Sequence, residues 1–110
     1  MIRAYIKRIQ EVNPQLNALV SDCFSQAIDE AKALDERIER ALQDPSTKDN
    51  VLSLPLLGIP MSIKESIAVK GQPCSAGLYS RKDIRMDEDA PAVKSLRDAG
   101  AIILGLRFSK

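Results

Sequence analysis

The sequence predicts the α/β fold class, with helices packed against a sheet in three layers. Two observations predict it. Residues 22–43 and 90–100 show helical patterns of apolar side chains, whereas residues 59–64 alternate as a strand and residues 101–105 are an apolar run. The later helix also passes into the later strand through Ala99-Gly100 without a loop, and such a join is typical of layered α/β domains.

A first helix is predicted over residues 1 to about 12. Its apolar side chains recur at helical spacing, at Ile2, Tyr5, Ile6, Ile9 and Val12. Asn13-Pro14 is expected to end it, because a residue before proline is disfavoured in the helical conformation. Residues 17–20 then form either a short strand or an extended connector.

The second helix, residues 22–43, is the clearest element. Ser21 or Asp22 is a suitable N-cap residue. One face carries an apolar stripe, made of Phe24, Ala27, Ile28, Ala31, Leu34, Ile38, Ala41 and Leu42. A polar linker over residues 44–50 follows, and we expect it to separate this helix from the strands.

The strand at residues 59–64 is predicted to have two different faces, since side chains alternate along a strand. Ile59, Met61 and Ile63 share one face, and the other face is made of Pro60, Ser62 and Lys64. The helix at residues 90–100 is expected to be capped by Asp89, with a proline in its first turn and Gly100 as its stop.

The composition excludes several kinds of functional site. The 110 residues contain no histidine, which excludes a Ser-His-Asp triad, a Cys-His pair or an imidazole metal site within them. The 16 Lys and Arg residues are scattered and balanced by 15 Asp and Glu residues, which argues against a nucleic-acid surface. Cys23 and Cys74 are predicted to be reduced thiols, with a disulfide or a metal pair as the alternative.

Lys64 is the candidate catalytic residue. A neutral lysine can accept a proton from a serine hydroxyl and so replace the absent histidine, and burial favours the neutral amine. The alternative is a surface lysine whose stem packs while its ammonium group reaches water. Glu65 is expected to alternate to the opposite face of the strand and so need not restore the charge.

Several segments, in unbroken order over residues 1–106, resemble the amidase signature family. Residues 57–65 resemble its Gly-x-Pro-x-x-x-Lys-Asp/Glu strand, and residues 71–77 resemble its Gly-x-Pro-Thr-Thr-Ala-Gly loop. Residues 89–105 fit the next helix and strand, and residues 13–18 fit the entry segment. Lys64-Glu65-Ser66 most resembles the fatty-acid amide hydrolase 2 branch of the family.

The resemblance implies that residues 1–110 are the N-terminal part of one three-layer domain with a mixed sheet. It also implies a serine hydrolase that cleaves carboxamides, including fatty-acid amides, without a metal or an organic cofactor. Lys64 matches the family's catalytic lysine, a general base that deprotonates a bridging serine, which in turn activates a nucleophilic serine.

Both catalytic serines are expected outside residues 1–110, because the family carries them downstream, in a Gly-Ser-Ser-Gly-Gly segment and the loop before it. We therefore expect the 110-residue chain alone to be inactive. The serines that match neither position are Ser62, Ser66, Ser75, Ser80 and Ser109.

Two alternatives stay open: a non-catalytic truncated paralogue that acts as an interaction module, and a fragment of a glutamyl-tRNA amidotransferase of the A type. The latter usually has Asp-Asn where this chain has Glu65-Ser66. The resemblance implies a small-molecule amide as the partner of the full-length parent, no nucleic acid, and leaves a homo-oligomer open. Residues 1–110 encode no membrane segment or signal peptide, so a cytoplasmic location is expected, or a membrane-associated one if a hydrophobic anchor precedes Met1.

Overall fold

The computed structural model describes residues 1–44, 46 and 50–107 of the chain. Within them lie the helices α1 (Ile2–Leu16), α2 (Phe24–Gln43) and α3 (Pro91–Asp98) and the strands β1 (Leu19–Asp22), β2 (Pro60–Lys64) and β3 (Ile102–Arg107). Short 3₁₀ turns occur at Val51–Ser53 and Tyr79–Arg81. Most of the predicted polar linker, and Ser109, lie outside the described residues.

The three strands form one mixed sheet in the order β1-β3-β2. The central strand β3 runs antiparallel to β1 and parallel to β2. Its register with β2 pairs Pro60 with Ile102 and Lys64 with Arg107. The predicted α/β class and mixed sheet are therefore confirmed.

Side chains of β3 divide the core into two clusters, one on each face of the sheet. Ile102 and Leu104 pack with Ile2, Ile6 and Ala27 of α1 and α2. On the other face, residues 103 and 106 pack with Val93 and Leu96 of α3 and with Ile63 of β2. Because helices cover both faces, the predicted three-layer arrangement is also confirmed.

The first helix is longer than predicted. It includes Pro14 and ends at Leu16, where Asn17 adopts the left-handed conformation and donates its N–H to the carbonyl of Asn13 at 2.6 Å. Proline disfavours the helical conformation in the residue before it, but Asn13 has compensating bonds: its side chain accepts the N–H of Leu19 and donates to the carbonyl of Leu19, both at 2.9 Å. These two bonds link the last turn of α1 to β1.

Both predicted helix caps are wrong. Residues 19–22 form β1, so α2 starts at residue 24 with Cys23 at its N-cap position and without a side-chain cap bond. At the start of α3, residue Ala90 occupies the N-cap position, while Asp89 accepts the N–H of Lys70 at 2.8 Å instead. A tertiary contact thus replaces the expected local one.

The other element boundaries move by a few residues. The third helix covers residues 91–98 rather than 90–100, because Ala99 is its C-cap and Gly100 (φ +102°) turns the chain into β3. The strands cover 60–64 and 102–107 rather than 59–64 and 101–105, since the ladder of β3 continues to Arg107 opposite Lys64.

Gly105 marks a close contact inside the sheet. A Cβ atom at this position would collide with the backbone carbonyl of Ser21 and lie 3.1 Å from Cα of Asp22. The alternation of side chains along β3 also changes here, where the register of the β2–β3 pair shifts. Only glycine therefore lets β1 approach β3 this closely.

Candidate active site

Lys64 is the last residue of β2, at the carboxyl end of the parallel β2–β3 pair. Ligands of α/β proteins commonly bind outside the carboxyl ends of parallel strands. The side chain of Lys64 is exposed, whereas that of Ile63 before it is buried in the core. The strand alternation therefore places Lys64 where a ligand or a further protein segment can reach it.

The backbone around Lys64 is fixed on two sides. The N–H of Glu65 donates to the carbonyl of Arg107 at 3.0 Å, which extends the pairing with β3 by one residue. The carbonyl of Lys64 accepts the N–H of Ile67 at 2.9 Å and closes a tight turn. Together these bonds define the direction in which the Lys64 side chain leaves the sheet.

Glu65 is buried, with 6% of its surface exposed, and it is the one buried charged residue in the described part of the chain. One carboxylate oxygen accepts the N–H of Ser75 and the other accepts the N–H of Ala76 at 3.0 Å. Burial of a carboxylate is unfavourable unless hydrogen bonds compensate, and bonds to a charged acceptor are the stronger kind. Glu65 thus anchors the small-residue loop, residues 74–77, to the end of β2.

The small-residue loop has an unusual backbone, which explains its need for an anchor. Ala76 and Gly77 both have positive φ, at 52° and 86°. Alanine disfavours this region because of its Cβ atom, while glycine adopts it freely. The hydroxyl of Ser75 also accepts the N–H of Gly77 at 3.3 Å.

An open cavity of about 280 Å³ lies between β1 and the small-residue loop. The hydroxyl of Ser21 lies 2.6 Å from Oε1 of Gln72 on the neighbouring turn. Lys82 supplies a cation, and its ammonium group donates to the hydroxyl of Tyr79 at 2.8 Å. The lining residues are Val20, Ser21, Glu65, Pro73, Ser75, Gly77 and Lys82.

The structure also places the serines of this region. Ser62 is half-buried on β2, and Ser66 and Ser80 are exposed. Ser75 is tied to the loop through its N–H and its hydroxyl. Ser109 lies outside the described residues.

The role of Glu65 was not predicted from the sequence. Strand alternation indicated only that this residue faces away from Lys64, and neither its burial nor its bonds to the loop were foreseen. The available signal was a carboxylate directly after a strand, followed about ten residues later by Ser75-Ala76-Gly77, a segment of small residues whose N–H groups need acceptors.

Cys23 and Cys74 are both free thiols. Burial raises the pKa of the Cys23 thiol to about 11, against an ordinary value of 9.0, and its sulfur donates to the carbonyl of Ile103 at 3.4 Å. Among residues 1–44, 46 and 50–107, no three His, Cys, Asp or Glu side chains come together as a metal site would require. Over the same residues, no helix has the length and apolarity needed to cross a membrane.

Comparison with known proteins decides the family. The model of the Amidase family matches residues 1–106. The chain belongs to the amidase family. Its fold is the N-terminal part of the amidase fold, since the peptide amidase of Stenotrophomonas maltophilia superposes with a TM-score of 0.74 at 33% identity, over 96% of this chain and 20% of that one.

Two sequence relatives show where the chain lies within the family. It is 47% identical over 108 residues to fatty-acid amide hydrolase 2-A of Danio rerio, and 35% identical over 105 residues to the A-type component of the glutamyl-tRNA(Gln) amidotransferase of Alkaliphilus metalliredigens (strain QYMF). Each match covers 96% of this chain and 20% of the relative. The chain therefore spans about a fifth of the length of the curated relatives that it matches.

Proposed function

We propose that this chain is the part of an amide-hydrolysing serine enzyme that supplies the general base, Lys64. The observation that carries the proposal is the placement of Lys64 within the family's strand sequence: it is exposed at the carboxyl end of β2, with its backbone fixed by β3 and by the turn to Ile67. A base must be held within reach of the proton that it removes, and a rigid strand end can hold it.

In the proposed mechanism the neutral amine of Lys64 takes a proton from a bridging serine, which takes one from the nucleophilic serine. The activated oxygen attacks the amide carbonyl carbon, the C–N bond breaks, and the leaving amine departs with a proton. Water then hydrolyses the acyl-serine. Both serines come from protein outside residues 1–110, and that protein would also cover Lys64 and favour its neutral form.

Fatty-acid amides are the proposed substrate class. The support is the identity to the Danio rerio fatty-acid amide hydrolase 2-A, which exceeds that to the amidotransferase component, 47% against 35% over similar lengths. Both relatives share the family, so the amidotransferase-type fragment remains the second candidate. Hydrolysis of a fatty-acid amide by an enzyme that contains this segment would favour the first candidate over the second.

A chimera tests the role of Lys64. Residues 1–106 replace the matching segment of the Danio rerio enzyme, and amide hydrolysis and fluorophosphonate labelling are measured. Lys64→Ala should lower kcat by about 10²- to 10⁴-fold, the usual contribution of general acid–base catalysis. Lys94→Ala is the matched control, because Lys94 is exposed and only pairs with Glu88 at 3.7 Å.

Two results would overturn the proposal. One is a chimera with intact Lys64 that folds but hydrolyses no amide, and the other is a Lys64→Ala chimera as active as the Lys94→Ala control. The 110-residue chain by itself should neither react with a fluorophosphonate nor hydrolyse amides, because a base without its nucleophile cannot form an acyl-enzyme.

An interaction module is the candidate from a different class. The radius of gyration is 15.4 Å, against about 13 Å for a compact domain of roughly 100 residues, and β1 and β2 each have one edge without a partner strand in the described part. Sedimentation of the purified chain distinguishes the cases: a monodisperse monomer argues for a self-sufficient module, and aggregation argues for a segment that needs the rest of a domain.

A further inference from the structure

We propose that Glu65 is a positioning residue for Lys64: its carboxylate holds the small-residue loop against the end of β2, and this contact fixes the direction of the lysine side chain. The inference rests on the proposed function of Lys64 as general base. It assigns a separate role to the neighbouring residue, which itself touches no reacting atom.

The chemistry of the contact suits an anchor. Glu65 has 6% of its surface exposed, and its two carboxylate oxygens accept one N–H each, from Ser75 and Ala76. An ionised carboxylate offers two acceptors and no donor, so it matches two backbone N–H groups. A glutamine at the same position would offer one acceptor and would turn an NH₂ group towards the second N–H.

The contact also stabilises a backbone conformation that is unfavourable by itself. Ala76 has φ 52°, in a region that its Cβ atom disfavours. The N–H of this residue is one of the two that Glu65 binds. Without the carboxylate, Ala76 would relax towards negative φ, and the loop would move away from the end of β2.

The effect of the contact reaches Lys64 through the shared backbone. The peptide group between residues 64 and 65 is bonded to β3 through the N–H of Glu65 and to the turn through the carbonyl of Lys64. The Glu65 side chain adds a third attachment, on the buried side. Since the two side chains leave the strand in opposite directions, an anchored Glu65 restricts rotation of the strand end and keeps Lys64 pointing outward.

Backbone amide exchange tests the contact in the 110-residue chain. Glu65→Gln should accelerate exchange at Ser75 or Ala76 at least tenfold, because one N–H loses its acceptor. Glu65→Asp keeps both acceptors and should accelerate exchange less. The matched control is Glu88→Gln, since Glu88 is exposed and contacts only the exposed Lys94; its exchange rates at the two amides should stay within twofold of the parent.

Kinetics of the chimera test the consequence for Lys64. Glu65→Gln should lower both kcat and the rate of fluorophosphonate labelling at least tenfold, with KM within threefold, because the base is misdirected while the substrate site is intact. Glu65→Asp should restore part of kcat. If Glu65→Gln does not fold, Glu65→Asp carries the test, with an expected kcat between those of the parent and the Lys64→Ala variant.

The outcomes separate this inference from the proposed function. An active chimera that loses turnover with Lys64→Ala but keeps it with Glu65→Gln overturns the positioning role and leaves the base assigned. Equal loss of kcat and gain in KM with Glu65→Gln would mark a merely structural role and overturns it as well. If Lys64→Ala has no effect, the proposed function fails, while unchanged amide exchange with Glu65→Gln would refute the anchor itself.

Discussion

The central strand β3 and the connecting segment between β2 and α3, residues 65–90, are stabilised in different ways. The strand has four apolar side chains with exposed fractions of 4% or less, at residues 102, 103, 104 and 106. The connecting segment leaves large side chains such as Leu78, Tyr79 and Ile84 about half or more exposed. Few polar contacts hold it instead, chiefly those of Glu65 and Asp89.

This difference affects how each region responds to change. Apolar burial in β3 is spread over many contacts on both faces, so one truncation removes free energy from the whole fold. In the connecting segment one carboxylate can hold several residues, so its loss opens a local region. The following predictions test this contrast, from the largest expected effect to the smallest.

Leu106→Ala should cause the largest loss of stability. Leu106 is fully buried between β1, β2 and α3, and truncation of a buried leucine lowers the free energy of unfolding by about 2–5 kcal/mol. Urea unfolding gives the value. Leu42→Ala is the control, because Leu42 is 67% exposed and its truncation should change the free energy by less than about 0.5 kcal/mol. Equal effects of the two variants would contradict the central role of β3.

Asp89→Asn should have an intermediate effect. One oxygen of Asp89 accepts the N–H of Lys70 at 2.8 Å, and the other lies 2.9 Å from Nε of Arg97. Arg97 is largely buried, so loss of the facing charge should lower the free energy of unfolding by about 1–3 kcal/mol.

Amide exchange at Lys70 shows whether that loss is local. It should accelerate in Asp89→Asn before global unfolding contributes. Glu88→Gln, which removes only an exposed ion pair with Lys94, should change the free energy by less than about 0.5 kcal/mol. A Lys70 amide that exchanges as slowly in Asp89→Asn as in the parent would contradict the idea of a local anchor.

Cys23 should give the smallest effect, visible only at high pH. Burial raises the pKa of its thiol from 9.0 to about 11, so between these values the unfolded chain releases the proton while the folded chain keeps it. The folded state then binds more protons, and the free energy of unfolding falls as the pH rises from 9 to about 11. Urea titrations of the parent and Cys23→Ala should show a steeper decline for the parent. Parallel declines would contradict burial as the cause.

Much of the fold could be predicted from the sequence, because apolar periodicity reports burial directly. The stripe of α2 and the run of β3 identify both elements within two residues. The end of α1 could not be predicted in the same way. Its last turn depends on bonds between the Asn13 side chain and Leu19, and a local preference of proline says nothing about such a contact.

The candidate site divides along the same line. Lys64 could be selected because strand alternation and the family resemblance both point to it. Glu65 and Asp89 have functions that depend on partners ten and nineteen residues away. A carboxylate after a strand or before a helix has an obvious local explanation, and the sequence pattern does not say that a distant N–H group binds it instead.

The position of β3 in the sheet has a consequence for synthesis of the chain. It is central in space but is the last of the three described strands to leave the ribosome. Neither β1 nor β2 has a strand to pair with until residues 102–107 emerge, so no part of this sheet can form earlier. The pairing of β1 with β3 then closes a loop of about 80 residues, a slow event that gives chaperones time to bind the apolar face of α2.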